Sequence, residues 1–222
     1  AATSFLVNFA TTVLLGSLVV RMFFRPKPEI DSVFGRTMMR TSFPLMVNSL
    51  LAKVFFQVDV LLLQPLRGDV EVGYYTTAYQ YIRGLDIIQS YFTLAIFPLM
   101  SRLAESQRDS LVRAYVLSVK LLVMVALPIA VGTTFIAREL VLLLAGADYL
   151  PHSMIALQLL IWYMPVGFVN SVTQYVLIAI NQQQFLTRAF LIGAGFNVLS
   201  NLILIPRYGY AAAAVVTVLS EV

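Results

Sequence analysis

Residues 73–100 read GYYTTAYQYIRGLDIIQSYFTLAIFPLM. At 1.5 Å per residue, a helix over this stretch is about 42 Å long, more than the roughly 30 Å of a bilayer's hydrocarbon core. Apolar and polar residues do not alternate along it, as they would in a barrel strand. Instead Thr76, Tyr79, Arg83, Asp86, Ser90 and Thr93 recur every three or four residues, one polar stripe on an otherwise apolar helix. The stretch is predicted to be a transmembrane helix with one face turned to a wet cavity.

The rest of the chain repeats this character. Its 222 residues are 59% hydrophobic and 12% charged, with mean hydropathy +0.84, whereas about a quarter of the residues in soluble domains are charged. Apolar runs predict spans at 3–24, 41–64, 73–100, 114–137, 152–180 and 185–205, and a truncated one from 209. The fold class is therefore all-α, a polytopic membrane helical bundle of about six complete transmembrane helices plus a truncated one. Both ends fall in or beside apolar runs, so a piece of a longer protein is expected.

The longest break, RMFFRPKPEIDSVFGRTMMR, carries Arg21, Arg25, Lys27, Arg36 and Arg40 and two prolines that forbid a continuous helix. Residues 25–40 are read as a linker between two lobes. Basic content alternates along the later breaks, and the positive-inside rule places 25–40, 102–113 and 181–188 in the cytoplasm. SRLAESQRDSLVRAY is spaced for a short helix along the membrane surface, and ELVLLLAGADY, too short to span, is expected at the outer interface or capping the preceding helix. No internal repeat is visible.

Several function classes are excluded. The absence of cysteine removes disulfides, thiolate metal sites and thiol nucleophiles. The single histidine, His152, follows Pro151 in a polar break and reads as a loop residue rather than a proton relay. A net charge of +4 without a basic stripe interleaved with aromatics argues against nucleic acid. Acid pairs, HExxH and P-loop patterns are absent, so neither an enzyme nor a cofactor is expected.

The charges inside the spans carry the functional signal. AKVFFQVDVLLLQ, residues 52–64, holds Lys53 and Asp59 in an apolar run. Counted from the helix ends, Lys53 and Arg83 share a depth of about 15–17 Å. Facing lipid, Lys53, Asp59, Arg83 and Asp86 would together cost on the order of 10 kcal/mol, so they must face protein or water. Thr41, Asn48, Ala52 and Asp59 fall on one helix face and Ser49, Lys53 and Gln57 on another, as in a helix surrounded by protein. Two readings stay open: ion pairs that lock the bundle, Arg83 with Asp86 at i,i+3 and Lys53 with either aspartate, or the lining of a pathway for a charged or sugar-bearing substrate. The candidate cavity residues are Arg83, Asp86, Asp59, Lys53, Tyr79, Asn48 and Ser90.

Pro128 and Pro165 lie inside predicted helices, where each permits a kink. Asn170 with Gln174, and Gly193 with Asn197 and Asn201, share faces suited to interhelical hydrogen bonds, and YAAAA at 210–214 suits close packing. Trp162 and the tyrosines read as core or interfacial belt.

The stretches RTSFPLMVNSLLAKVFFQVDVLLLQPLRGDVEVGYYTTAYQYIRGLDIIQSYFTLAIFPLMSRLA and FNVLSNLILIPRYGYAAAAVVTVLSEV resemble polysaccharide and lipid-linked oligosaccharide flippases of the multidrug/oligosaccharidyl-lipid/polysaccharide exporter superfamily. The likeness rests on Pro44, Asp59 in VDVLLL, Val72 to Tyr75 with Ala78, Phe97-Pro98 before Ser101, and Asn197 through Pro206 to Gly209. The chain departs from the pattern at Ala211 to Ala214, where the family often has glycine.

The resemblance implies a two-lobe exporter fold: 1–24 the last helix of the N-terminal lobe, 25–40 the cytoplasmic linker, and 41–222 the truncated C-terminal lobe. It implies a multi-pass protein of the cytoplasmic membrane that flips a lipid-linked oligosaccharide, an O-antigen or exopolysaccharide unit, by alternating access. Its partners would be the bilayer, a polyprenyl-pyrophosphate-linked glycan and a coupling ion, proton or sodium. Arg83 and Lys53 would contact the anionic head group, with Asp59 and Asp86 orienting them or binding the ion. The alternatives are a lipid II flippase of peptidoglycan synthesis, a cation-coupled multidrug antiporter of the same superfamily, which should show an aromatic, acid-lined cavity, and a non-transporting scaffold with its charges locked in pairs.

Overall fold

The computed structural model describes residues 9–17, 31–55 and 57–221; the side chains of residues 32, 41, 44, 45, 48, 49, 51–55 and 106 lie outside that description. All regular structure among the described residues is helical. In chain order it comprises α1 (9–17), α2 (Ser32–Phe55), α3 (Val58–Arg67), α4 (Asp69–Ser106), α5 (Arg108–Leu144), a 3₁₀ turn (Ala147–Tyr149), α6 (His152–Leu160), α7 (Tyr163–Ala179) and α8 (Gln183–Ser220). The chain divides into two compact units, Ala1–Leu45 and Met46–Val222.

The first unit contains α1 and the start of α2. Asp31 begins α2 as its N-cap: its Oδ1 accepts hydrogen bonds from the backbone N–H of Val33 at 2.8 Å and of Phe34 at 3.1 Å, satisfying donors that the first turn leaves open. Residues 32–40, read from sequence as part of the linker, are thus helical, and Arg21, Arg25 and Lys27 of the same polar break lie outside the described residues.

The second unit is a bundle in which α4 packs against α3, α5, α6, α7 and α8. Its core holds Leu63, Tyr75, Ile82, Leu122, Leu157, Met164, Phe168 and Ile205. On α5, Ala126, Ala130 and Ala137 are fully buried, a stripe of small residues that lets neighbouring backbones approach. The opposite surfaces are apolar as well, with Phe135 81% and Leu143 82% exposed. Such a surface suits hydrocarbon and would be unstable in water. Among the described residues, Asp69–Glu105, Arg108–Leu144, His152–Ala179 and Gln183–Ser220 are long and apolar enough to cross a membrane.

Several predicted spans are broken or rejoined. The 41–64 helix is interrupted between Phe55 and Val58, with Gln57 at φ −129° and ψ −6°. The 152–180 span breaks at Ile161–Trp162. Pro165 accounts for that break, because it has no N–H for the Ile161 carbonyl, which accepts from Met164 at 3.1 Å instead. The same residue type at Pro128 leaves α5 continuous. There is no separate surface helix over 101–115, since α4 and α5 run through it and part only at Gln107 (φ −149°, ψ 82°). Residues 139–144 extend α5, and Gly146 and the 3₁₀ turn close it off.

The hydrogen bonding of α8 shows that it is a hairpin. Asn197 Nδ2 donates to Ser220 Oγ at 3.0 Å, although the two are 23 residues apart. A straight helix would separate them by about 34 Å, so the arms before and after Gly209 run antiparallel. The reversal occurs at Gly209, whose φ of 59° and ψ of −140° suit a residue without a β-carbon. A clasp from α3 and α4 holds this turn. Arg67 donates to the carbonyls of Ile205 at 3.2 Å and Arg207 at 3.4 Å, Glu71 Oε2 accepts from Tyr210 N–H at 3.0 Å, and Arg67 and Glu71 lie 3.5 Å apart. The cation thus sits on the carbonyl end of one arm and the carboxylate on the amide end of the next, each complementing the local helix dipole. The predicted close-packing run follows the turn, with Ala212, Ala213 and Ala214 buried.

Candidate functional site

The break before Val58 places Asp59 in the first turn of α3. There its Oδ1 accepts from Val60 N–H at 2.9 Å, and its charge lies at the positive end of the helix dipole. The side chain is 2% exposed. Its Oδ2 accepts a hydrogen bond from the Tyr75 hydroxyl and lies 3.3 Å from Thr217 Oγ1. Thr217 Oγ1 is in turn 3.2 Å from the Tyr75 hydroxyl and donates to the Ala213 carbonyl at 2.9 Å. Three helices, α3, α4 and the second arm of α8, therefore converge on one carboxyl group. Among the described residues no basic side chain lies within ion-pairing distance of it. A buried carboxylate held by one backbone amide and two hydroxyls, with no counter-charge among the described residues, is costly, and a proton or small cation would offset that cost.

From Tyr75 the polar stripe runs along α4. The rings of Tyr75 and Tyr79 are 5.7 Å apart, centroid to centroid, and both are buried. The Arg83 guanidinium carbon stands 5.0 Å from the Tyr79 ring centroid, within the range of a cation–π contact. Arg83 itself is exposed. Asp86, one turn on, accepts from Gln89 Nε2 at 2.9 Å, and Ser90 Oγ donates to the Asp86 carbonyl at 2.9 Å. No ion pair joins Arg83 to Asp86 among the described residues.

The structure thus groups Asp59, Tyr79, Arg83, Asp86 and Ser90 along one side of α4. Lys53 and Asn48 lie on α2, but their side chains are outside the described residues. Sequence reasoning missed Tyr75, Thr217 and Gln89. Tyr75 is four residues before Tyr79 and extends the stripe, so helical spacing alone could have found it. Thr217 is 158 residues from Asp59, and no local pattern announces it.

A cavity of about 750 Å³ opens between α4, α7 and α8, with Gln89, Ser90, Tyr163, Asn170, Phe196 and Glu221 among its lining. Among the described residues its lining includes neither lysine nor arginine. Asn170 Nδ2 donates to the Glu221 backbone oxygen at 2.6 Å and to its Oε2 at 2.9 Å. Asn197 bridges the hairpin arms and Asn170 joins α7 to the end of α8, so these two amides act as interhelical hydrogen-bonding groups, while Asn201 donates to Asn197 within the first arm at 2.8 Å. The Asn197–Ser220 contact sets the register of the hairpin.

Residues 1–104 match the model of a family described as "Polysaccharide biosynthesis protein". No curated protein and no solved structure matches the chain. The match supports the polysaccharide biosynthesis and flippase superfamily for that part of the chain. It takes in Asp59, Tyr75, Tyr79, Arg83 and Asp86, while Thr217 lies beyond it. With its apolar helices the chain is a multi-pass membrane protein, and its residues 1–104 are similar to a polysaccharide biosynthesis family.

Proposed function

We propose that this chain forms part of a transporter, not an enzyme, that flips a lipid-linked oligosaccharide, an O-antigen or exopolysaccharide unit, across the cytoplasmic membrane by alternating access. Residues 1–24 would close the N-terminal lobe, 25–40 link the lobes, and 41–222 belong to the C-terminal lobe. The observation that carries the reading is Arg83: exposed on a helix of membrane-spanning character, set on the Tyr79 ring, with no carboxylate within ion-pairing distance among the described residues. A guanidinium so placed has its donor fork available for a pyrophosphate, which it can hold bidentately. Asp86 is held by Gln89 rather than spent on neutralising it, and Asp59, buried among hydroxyls, is the group that would take a coupling proton or sodium ion.

The test replaces Arg83 by Ala and by Lys in the full-length protein and measures surface glycan in a complemented cell. Arg83→Ala is expected to cut export about tenfold or more, one charge-assisted contact being worth about 1.5–3 kcal/mol, and Arg83→Lys to retain part of it. Normal export at normal protein level with Arg83→Ala sinks the reading.

The cavity favours a second reading. Its aromatic and amide lining, with Glu221 and no basic residue among the described ones, is what a multidrug antiporter for organic cations would present. Ethidium efflux from cells expressing the full-length protein distinguishes the two: efflux lost with Glu221→Gln and unaffected by Arg83→Ala selects the antiporter.

A further inference from the structure

Among the described residues, the buried carboxyl of Asp59 and the exposed guanidinium of Arg83 are linked by two side chains, Tyr75 and Tyr79, each touching the next. Tyr75 donates its hydroxyl to Asp59, its ring lies 5.7 Å from that of Tyr79, and the Tyr79 ring carries Arg83 at 5.0 Å. Tyr75 is fully buried and Tyr79 is 8% exposed. In an interior packed at crystal-like density neither ring can shift without moving its neighbour.

We infer that Tyr75 and Tyr79 are positioning residues that set the placement of Arg83 according to what Asp59 holds. The inference rests on the reading of Arg83 as an anion-binding group. An unaccompanied Asp59 carboxylate takes the Tyr75 proton as its donor. A proton or cation on the carboxyl competes for the same oxygen, Oδ2, which Tyr75 and Thr217 already share. The Tyr75 hydroxyl then turns to Thr217 Oγ1, 3.2 Å away on the second arm of α8. Because the phenolic oxygen is fixed to its ring, lengthening of its contact with Oδ2 moves the Tyr75 ring against Tyr79, and Tyr79 carries the guanidinium with it. Among the described residues the other charged groups near this line are Asp86 on α4 and Glu221 after α8; neither touches Tyr75 by hydrogen bond or ion pair.

The arrangement gives each tyrosine a separable part. Tyr75 contributes its hydroxyl, because the ring alone cannot sense the carboxyl. Tyr79 contributes its ring, because the contact to Arg83 is with the π-face. Coupling of this kind is reciprocal: a pyrophosphate on Arg83 must shift the affinity of Asp59 for its proton or cation by the same factor.

The test is a double-mutant cycle on the full-length protein in nanodiscs, with farnesyl pyrophosphate as the probe and Kd as the readout. Asp59→Asn replaces the anionic carboxylate by a neutral group of the same shape. It is expected to change Kd by about fivefold or more, the lower end of coupling between linked sites. In the Tyr75→Phe background the same change is expected to move Kd by less than about twofold. Tyr79→Phe, which keeps the ring, should preserve the coupling, and Tyr79→Leu should abolish it, a contrast that a merely structural role would not produce. Where Asp59→Asn does not accumulate as folded protein, Thr217→Val strips the other hydroxyl from the same carboxylate oxygen and replaces it in the cycle. Additive effects of Asp59→Asn and Tyr75→Phe, with Arg83→Ala still weakening the probe, overturn the relay and leave the anion site standing. An Arg83→Ala protein that binds the probe as tightly as the parent overturns both.

Discussion

Replacing Gly209 by alanine tests the hairpin geometry most directly. Gly209 has φ +59° and ψ −140°, a region that residues with a β-carbon enter at a cost of about 1–3 kcal/mol. A β-carbon there would stand 2.9 Å from Glu71 Cδ and 3.0 Å from Oε1, and closer still to Oε2. The carboxylate would have to withdraw, breaking its bond to Tyr210 N–H, a charge-assisted hydrogen bond worth about 1.5–3 kcal/mol. The two terms together put the cost of Gly209→Ala at about 2.5–6 kcal/mol. The assay is reversible unfolding of the purified protein in mixed micelles by SDS titration. Gly195→Ala is the control in the same helix, because a β-carbon at 195 meets nothing within 4 Å. It should be neutral or stabilising by up to about 1 kcal/mol. In the Glu71→Ala background the steric term disappears, and the penalty of Gly209→Ala should fall to the backbone strain alone. If Gly209→Ala is tolerated as well as Gly195→Ala, the chain does not reverse at this residue and the clasp argument fails.

Asn197→Leu removes the bond to Ser220 and the acceptor for Asn201; it should lower stability in the same titration by about 1–2 kcal/mol, near the upper end for interhelical hydrogen bonds in membranes. Ala213→Leu puts a large side chain where none of the residue is exposed and should cost about 1–3 kcal/mol by overpacking, whereas Phe135→Leu, on the exposed apolar face, should change stability by less than about 0.5 kcal/mol. Arg67→Ala leaves the carbonyls of Ile205 and Arg207 without their donor and should speed amide hydrogen exchange at the hairpin turn, with little change in α5.

Much of the bundle was readable because lipid imposes a simple requirement. Every backbone polar group must be paired within its own segment, so apolar runs of sufficient length become helices whatever their partners. That reasoning located α4, α5 and the two arms of α8, and the polar break Pro206 to Tyr208 marked where the arms separate. It did not find the Arg67–Glu71 clasp. Those residues sit in a polar loop of the sequence, and their partners, Ile205, Arg207 and Tyr210, are backbone groups about 138–140 residues away; backbone partners leave no trace in residue type.

The break between α2 and α3 escaped for a different reason. Helix interruptions are usually announced by glycine, proline or a π-bulge, as Pro165 announced the break after α6, but Phe55 to Val58 contains neither glycine nor proline. The sign that was present is Asp59 itself. An acidic residue in a first turn is a helix-start signal, and the broken end supplies an open N–H and a positive dipole for the carboxylate. Within an uninterrupted helix the same side chain would have faced the interior with only Tyr75 and Thr217 to compensate it. The break and the buried charge therefore explain each other, and the charge in AKVFFQVDVLLLQ marks where one helix stops and the next begins.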